Sequence, residues 1–141
     1  MGYRNYIKHG DIRYCHLPQI DDSSVQCGLK ACIIIQNNIG NTYSECVNVI
    51  PITSKYKKMK LPCHILVKGD RLSVVLTEQI MTIPKDRIVD EPPITKLSNH
   101  DMERVKRAML IQFGFTDIPR GKELYEFQHD YDKDYKYKEC V

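Results

Sequence analysis

The chain has 141 residues, of which 42% are hydrophobic and 28% are charged, and its formal net charge is +3. These values are ordinary for one globular domain with a buried core. No apolar run approaches the about 20 residues of a membrane-spanning helix, and the N-terminus lacks the hydrophobic segment of a signal peptide. We therefore expect a cytoplasmic protein without membrane association.

The charge is distributed unevenly along the chain. Residues 122–141 carry a net charge of −2, which leaves a net charge of +5 on residues 1–121. A basic body with an acidic end favours a polyanionic partner, although charge alone favours it only weakly.

The six cysteines stand at positions 15, 27, 32, 46, 63 and 140, and no two of them form a Cys-x-x-Cys pair. Zinc sites usually draw their ligands from such close pairs. Cysteine in an apolar strand behaves as a small hydrophobic residue. We expect reduced, mostly structural thiols in a reducing compartment, with no metal site and no cofactor.

Taken in chain order, short apolar segments bounded by Gly, Pro and polar residues predict strands. Pro18 ends the first of them, and the polar segment 19–27 predicts a loop over the sheet. The predicted strands are residues 11–17, 31–35, 46–52, 61–67, 73–76 and 78–83.

The segment from residue 26 to residue 54 organises the predicted sheet. Residues 31–35 form a continuous apolar run, which is typical of a strand covered on both faces. Residues 37–41 are rich in Asn and Gly, which tolerate positive φ, so they predict a hairpin connection. Pairing of the two strands would bring Lys30, at the start of one, close to Thr53, at the end of the other. A cation facing a hydroxyl at a sheet edge favours an anion site.

A helix follows the predicted strands. Ser98 and Asp101 have the spacing of an N-terminal cap, and apolar residues then recur at helical spacing until Gly114. We expect this helix to pack on the sheet. The tyrosine-rich, charged residues from 119 onward could form a second helix or an arm, or stay disordered. The predicted fold class is mainly β with helices: a small, strongly bent β-barrel with a C-terminal helix.

Six segments stand in order over roughly residues 8–115: residues 10–12 (GDI), 28–31 (GLKA), 35–41 (IQNNIGN), 52–54 (ITS), 60–64 (KLPCH) and 78–83 (EQIMTI). Together, and in register, these segments resemble the MazF/PemK family of toxins. The resemblance implies an SH3-like barrel at residues 1–118, with residues 119–141 as an extension. It also implies a homodimer that cleaves single-stranded RNA sequence-specifically without a metal and is held in check by a cognate antitoxin.

The chain departs from the family at one position. In the family an arginine follows the glycine in a Gly-x-Arg-Pro pattern and works with the threonine, whereas this chain has Lys30 and then Ala31. RNA cleavage without metal requires two proton transfers and stabilisation of the charged phosphorane. Lysine supplies one compact charge instead of the fork that a guanidinium offers to two phosphate oxygens. The resemblance makes Lys30 and Thr53 the catalytic pair, and we expect cleavage to be slower than with arginine.

The resemblance also assigns RNA contacts to polar residues near the pair. A lone histidine on a strand is more often structural, isolated polar residues also cap strand ends, and a run of lysines is often only a solvated loop. For Lys57, Lys58 and Lys60, guiding the RNA backbone and forming only a solvated loop both stay open. The RNA-binding candidates are Ser24, Gln26, Gly28, Ser54, Lys55, His64, Glu78 and Gln79.

Two other functions remain possible at this point. One is a family member that has lost catalysis with the arginine and only binds RNA or an antitoxin. The other is an SH3-like adaptor for proline-rich peptides, which would need an aromatic groove. The chain has no tryptophan, and many of its tyrosines lie in the extension, which disfavours an adaptor.

Overall fold

The computed structural model describes residues 2–21, 23–55 and 61–130. In this part of the chain no helix is long and apolar enough to cross a membrane. Short 3-10 helices cover Tyr3–Tyr6, Thr77–Gln79 and Lys85–Arg87. The α-helices are α1 (Asn38–Tyr43), α2 (Asn99–Gln112) and α3 (Gly121–Gln128). The strands are β1 (Asp11–Leu17), β2 (Gly28–Ile34), β3 (Cys46–Thr53), β4 (His64–Lys68), β5 (Leu72–Leu76), β6 (Met81–Pro84) and β7 (Thr95–Lys96).

All seven strands belong to one antiparallel sheet. Its order is β4-β5-β3-β2-β1-β7, and β6 pairs with β3 in addition. Within the described residues β4 and β7 do not pair with each other, so the sheet is not a closed ring. The predicted class, mainly β with helices, is confirmed with this difference. The short strand β7 was not predicted.

The connection between β2 and β3 differs from the prediction. Residues 37–41 were expected to form a hairpin turn, but the chain enters α1 at Asn38. The Asn37 side chain accepts a hydrogen bond from the Gly40 backbone N–H at 2.8 Å and so caps the helix. Asn is a favoured residue at helix N-caps, and here its side chain accepts from a helix N–H while its backbone keeps negative φ. The two strands are nevertheless antiparallel neighbours, as predicted.

The core lies on both faces of the sheet. On one face, Ile33 of β2 packs with residues of α2 and α3, among them Val105 and Phe127. On the other face, Cys32 and Ile34 of the same strand pack with residues of β1, β3 and β6. The prediction that residues 31–35 form a strand covered on both faces is therefore confirmed for its central residues.

The cysteines of the described part are free thiols. Cys15, Cys32 and Cys63 are buried and Cys27 is half-buried, whereas Cys46, which was expected in an apolar strand, is exposed. Cys140 lies outside the described residues.

The helix predicted from Ser98 onward is present. Ser98 Oγ accepts a hydrogen bond from the Asp101 backbone N–H at 3.1 Å, and the helix ends one residue before Phe113, close to the predicted end at Gly114. Part of the predicted extension forms α3, whose Phe127 is buried in the core. The division of the chain at residue 118 remains a prediction, and residues 131–141 lie outside the described part.

A buried ion pair joins α2 to the elements around it. Arg104 donates to Asp101 Oδ1 at 3.1 Å, and the two side chains are 8% and 0% exposed. Asp101 also accepts from the Lys68 backbone N–H at 3.1 Å, and Arg104 donates to the backbone carbonyls of Leu66 and Phe127. The pair therefore holds the end of β4, α2 and α3 together.

Arg104→Ala should lower the free energy of unfolding by about 3–5 kcal/mol, because it leaves the Asp101 carboxylate buried without its cation. Urea denaturation of the two proteins measures the difference. The control is Lys122→Ala, whose ion pair with Glu126 is exposed and should contribute less than about 1 kcal/mol. Equal losses of unfolding free energy in the two variants would contradict the proposed role of the Arg104–Asp101 pair.

Candidate active site

A cleft opens where β2 and β3 separate. Cys32 and Pro51 are the last residues of the β2–β3 ladder in this direction. Pro51 has no N–H to donate to a ladder. Beyond it, Lys30 pairs with Cys15 of β1, while Thr53 pairs with Val74 of β5. Each strand keeps the partner on its outer edge, but beyond Pro51 the two no longer pair with each other, and the space between them becomes accessible.

Lys30 and Thr53 lie at this cleft. Continuing the β2–β3 register by two residues sets Lys30 opposite Thr53, and alternation places both on one face of the sheet. Both also line a cavity of about 230 Å³. The structure therefore brings together the two residues that the sequence singled out, and their catalytic role remains a prediction.

The cleft is basic on balance. Its charged groups are three cations and one carboxylate, and Arg71 Nε lies 3.7 Å from Asp70 Oδ2 in an exposed ion pair. Arg71 was missed in the sequence, although the Gly69-Asp70 turn indicated that the next residues return to the sheet. The lining residues are Tyr14, Leu29, Lys30, Ala31, Ile52, Thr53, Ser54, Lys55, Asp70, Arg71, Ser73 and Ile94.

The Thr53 hydroxyl is held in place at the end of β3. Its Oγ1 accepts a hydrogen bond from the Lys55 backbone N–H at 3.1 Å. A hydroxyl has one hydrogen and two lone pairs, so Thr53 keeps its hydrogen to donate to an anion. Ser54 and Lys55 are exposed beside it.

Three of the predicted RNA-binding residues form a second group. Gln79, at the end of the 3-10 helix after β5, accepts from the Gln26 backbone N–H at 2.7 Å. Its amide nitrogen donates to the Ser24 carbonyl at 3.5 Å. Gln79 therefore ties the segment before β2 to the segment after β5, and Ser24, Gln26 and Gln79 come together at one place.

His64 and Glu78 form a close pair beside this group. His64 Nε2 lies 2.6 Å from Glu78 Oε2, and the side chains are 11% and 22% exposed. The neighbouring Cys63 is buried; burial, and then the negative charge of Glu78, raise the pKa of its thiol to about 11. His64 is thus a buried, paired histidine at the start of β4.

The cleft residue Thr53 and the His64–Glu78 pair lie on one face of the sheet. Thr53 pairs with Val74, Val74 pairs with Leu66, and His64 lies two residues from Leu66 along β4. Strands lie about 4.8 Å apart and each residue rises about 3.3 Å, so the Cα atoms of Thr53 and His64 are roughly 12 Å apart. Between them lie the side chains of Leu66 and Val74, which are buried with Leu76 in a small apolar cluster.

Lys57, Lys58 and Lys60 lie outside the described residues. Gly28, the last predicted contact residue, begins β2 opposite Leu17 and has φ +75°. No atom lies within 4 Å of the position that a Cβ would take, so backbone conformation, not space, requires glycine there.

Comparisons with known proteins agree with this architecture. A family model described as the PemK-like, MazF-like toxin of type II toxin-antitoxin systems matches residues 8–113. Endoribonuclease EndoA of Bacillus subtilis is 36% identical over 117 residues, which are 79% of this chain and 98% of the relative. MazF of Deinococcus radiodurans superposes with a TM-score of 0.65 at 15% identity, covering 77% of this chain and 96% of that one. A mycobacterial endoribonuclease solved with its cognate antitoxin gives a TM-score of 0.63 at 17% identity, covering 79% and 98%.

The chain belongs to the family of PemK-like, MazF-like toxins of type II toxin-antitoxin systems. The resemblance found in the sequence is thereby confirmed, as is the prediction of an endoribonuclease toxin at the level of the family. The similarities do not favour the alternative of a member that only binds RNA or an antitoxin.

Gly28→Ala should lower the free energy of unfolding by about 1–2 kcal/mol, because a Cβ is strained at positive φ. Gly114→Ala is the matched comparison, since Gly114 has φ +77° and equally open surroundings. Thermal unfolding of both variants measures the loss. An unchanged Gly28→Ala protein would show that the entry to β2 tolerates another backbone conformation.

Proposed function

We propose that the chain cleaves single-stranded RNA without a metal ion at the cleft between β2 and β3, with Lys30 and Thr53 as its catalytic residues. The observation that carries the proposal is that a lysine and a threonine line one cleft where the β2–β3 ladder ends, at positions that the register, continued by two residues, sets opposite each other. A hydroxyl donor beside an ammonium suits a phosphodiester better than a neutral ligand.

The reaction is attack of a ribose 2′-oxygen on the adjacent phosphorus. The 2′-hydroxyl loses its proton as it attacks, the bond to the 5′-oxygen of the next nucleotide breaks, and that oxygen gains a proton, so the products end in a 2′,3′-cyclic phosphate and a 5′-hydroxyl. Negative charge grows on the non-bridging oxygens in the transition state. Lys30 would stabilise that charge, and Thr53 would donate a hydrogen bond to one of those oxygens.

Arg71 belongs to the same proposal. The sequence indicated that Lys30 alone positions a phosphate less firmly than an arginine does. Arg71 brings a guanidinium to the cleft from the β4–β5 connection, and its exposed pairing with Asp70 is weak enough to exchange for a phosphate. A lysine from β2 and an arginine from the β4–β5 connection would then share the phosphate.

The remaining predicted contacts extend the surface along the RNA. Ser54 and Lys55 would bind the backbone beside the cleft. Ser24, Gln26 and Gln79 lie where base edges of an unstacked strand would pass, and polar side chains of this kind give RNA sequence preference. His64 and Glu78 border the same surface.

We further propose that the toxin is a cytoplasmic homodimer inhibited by a cognate antitoxin. The mycobacterial relative solved with its antitoxin supports a partner of this kind. An apolar cavity of about 440 Å³ beside α2, lined by Met102, Met109 and Phe113 among others, offers surface for a protein partner. Met side chains adapt to varied contacts.

Lys30→Ala and Thr53→Ala should each slow cleavage of a long unstructured RNA in EDTA by about a hundredfold to a thousandfold, because each removes a group that stabilises the phosphorane. Fragments resolved on a denaturing gel give the rate. Lys122→Ala, on the exposed face of α3, is the control that should cleave normally. Unchanged cleavage in the two cleft variants would place the active site elsewhere.

Lys30→Arg, measured in the same assay, separates an active enzyme from a weakened one. Faster cleavage would mean that lysine stabilises the phosphorane in the same way as arginine but less well. Slower cleavage would mean that the site is adapted to lysine. RNA binding without cleavage by the wild-type chain would support the alternative of a protein that only binds.

Arg71→Ala should reduce cleavage by about ten- to a hundredfold, the effect of losing one hydrogen bond to a charged group. Asp70→Asn should instead raise it, because Arg71 is then released from its carboxylate. Initial rates for both variants on one RNA test the pair. Equal rates in wild type and Arg71→Ala would restrict catalysis to Lys30 and Thr53.

A further inference from the structure

Cys63, His64 and Glu78 form a cluster that the catalytic proposal does not use. One ligand atom from each side chain, namely sulfur, imidazole nitrogen and carboxylate oxygen, lies within 4.8 Å of the other two. In the described part of the chain this is the one group of three such residues. No sequence motif indicates this cluster, because Glu78 is distant from the Cys63-His64 pair along the chain.

The backbone holds these three residues together without help from a ligand. His64 stands opposite Leu76 in the β4–β5 ladder, and Glu78 follows two residues later. The fully buried Thr77 donates from its hydroxyl to the Cys63 carbonyl at 2.9 Å. The start of β4 and the 3-10 helix after β5 are therefore fixed to each other on both sides of the cluster.

One oxygen of Glu78 is buried without a partner. Oε2 is paired with His64 Nε2, but Oε1 has almost no contact with solvent and no hydrogen-bond partner. A buried carboxylate oxygen left without a partner costs free energy. An unpaired oxygen beside a thiol and an imidazole is a position where a cation would be stabilised.

The donor set selects the ion. Thiolate sulfur, imidazole nitrogen and one carboxylate oxygen are ligands of zinc, whereas calcium and magnesium prefer oxygen alone. Zinc bonds of about 2.0–2.3 Å place tetrahedral ligand atoms roughly 3.3–3.8 Å apart. The three atoms need small movements to reach that spacing, and the short contact between His64 and Glu78 would open to admit the ion.

We propose that Cys63, His64 and Glu78 bind one zinc ion, with the fourth position left to water. The ion takes the place of the hydrogen bond between His64 and Glu78 and displaces the proton of the Cys63 thiol. It joins the start of β4 to the 3-10 helix whose Gln79 holds the Gln26 segment. The site is separate from Lys30 and Thr53 and serves the structure of the proposed RNA surface, not the cleavage step.

The test uses the full chain, purified with EDTA and a reductant and then freed of both. Titration with Co²⁺, which takes the place of zinc, should give an intense thiolate-to-cobalt absorption band that saturates at one ion per chain. Zn²⁺ should abolish the band by displacement. Zn²⁺ alone should also raise the melting temperature, because it binds only the folded chain.

Cys63→Ser should abolish the band, and Cys46→Ser, which alters an exposed cysteine at the far end of β3, should preserve it. Glu78→Gln keeps the thiol and should weaken cobalt affinity by about tenfold or more. This variant keeps the test valid if the buried serine unfolds the protein. A band that survives in Cys63→Ser, an unchanged affinity in Glu78→Gln, or the absence of saturable binding would overturn the assignment.

The metal site and the proposed nuclease fail independently. Cleavage in EDTA tests Lys30 and Thr53 on the metal-free chain, whereas cobalt absorption requires no RNA. A negative result in the cleavage assay would leave the zinc proposal unaffected, and the absence of cobalt binding would leave the nuclease proposal unaffected.

Discussion

The early end of the β2–β3 ladder is the constraint on which the site depends. If β2 and β3 stayed paired along their whole length, the end of β3 would be buried in the ladder. In this protein β3 pairs with β2 along one edge only up to Pro51, while its other edge stays paired with β6 and then with β5 as far as Thr53. The end of β2 remains with β1, so a gap opens beside Lys30 and Thr53. Charged and hydroxyl side chains can reach a ligand there while the rest of both strands stays buried.

The sheet edge beyond that gap is held firmly from the opposite face. Arg104 and Asp101 bind backbone groups of β4 and α3, and Ile33, Ile65 and Phe127 pack in the same core. A position fixed in this way suits catalysis, since small displacements of a catalytic group reduce the rate strongly. The polar groups on the other face, at Thr53 and at His64, therefore rest on a packed layer.

The polar groups on this face differ in chemistry from one part of it to the next. The cleft supplies cations and hydroxyls, the Gln79 group supplies amides, and Cys63, His64 and Glu78 supply metal ligands. Gln79 follows Glu78 on the same 3-10 helix, so the conformation of that helix would affect both the proposed RNA contact and the proposed ion binding. An ion bound by Cys63, His64 and Glu78 would influence RNA recognition through the backbone without touching the scissile phosphate.

The amino-acid sequence by itself determined six of the seven strands, the cap at Ser98 and the proximity of Lys30 to Thr53, because hydrophobic periodicity and antiparallel pairing are local rules. Residues 37–41 suited both a turn and a short helix, and the local contact of Asn37 with the Gly40 N–H formed the helix. Tertiary structure decided the rest. Arg71 reached the cleft because β4 and β5 form a hairpin whose connection carries it there. Cys63, His64 and Glu78 met because a ladder joined distant segments. Contacts between residues far apart in the chain depend on strand register, which no single segment specifies.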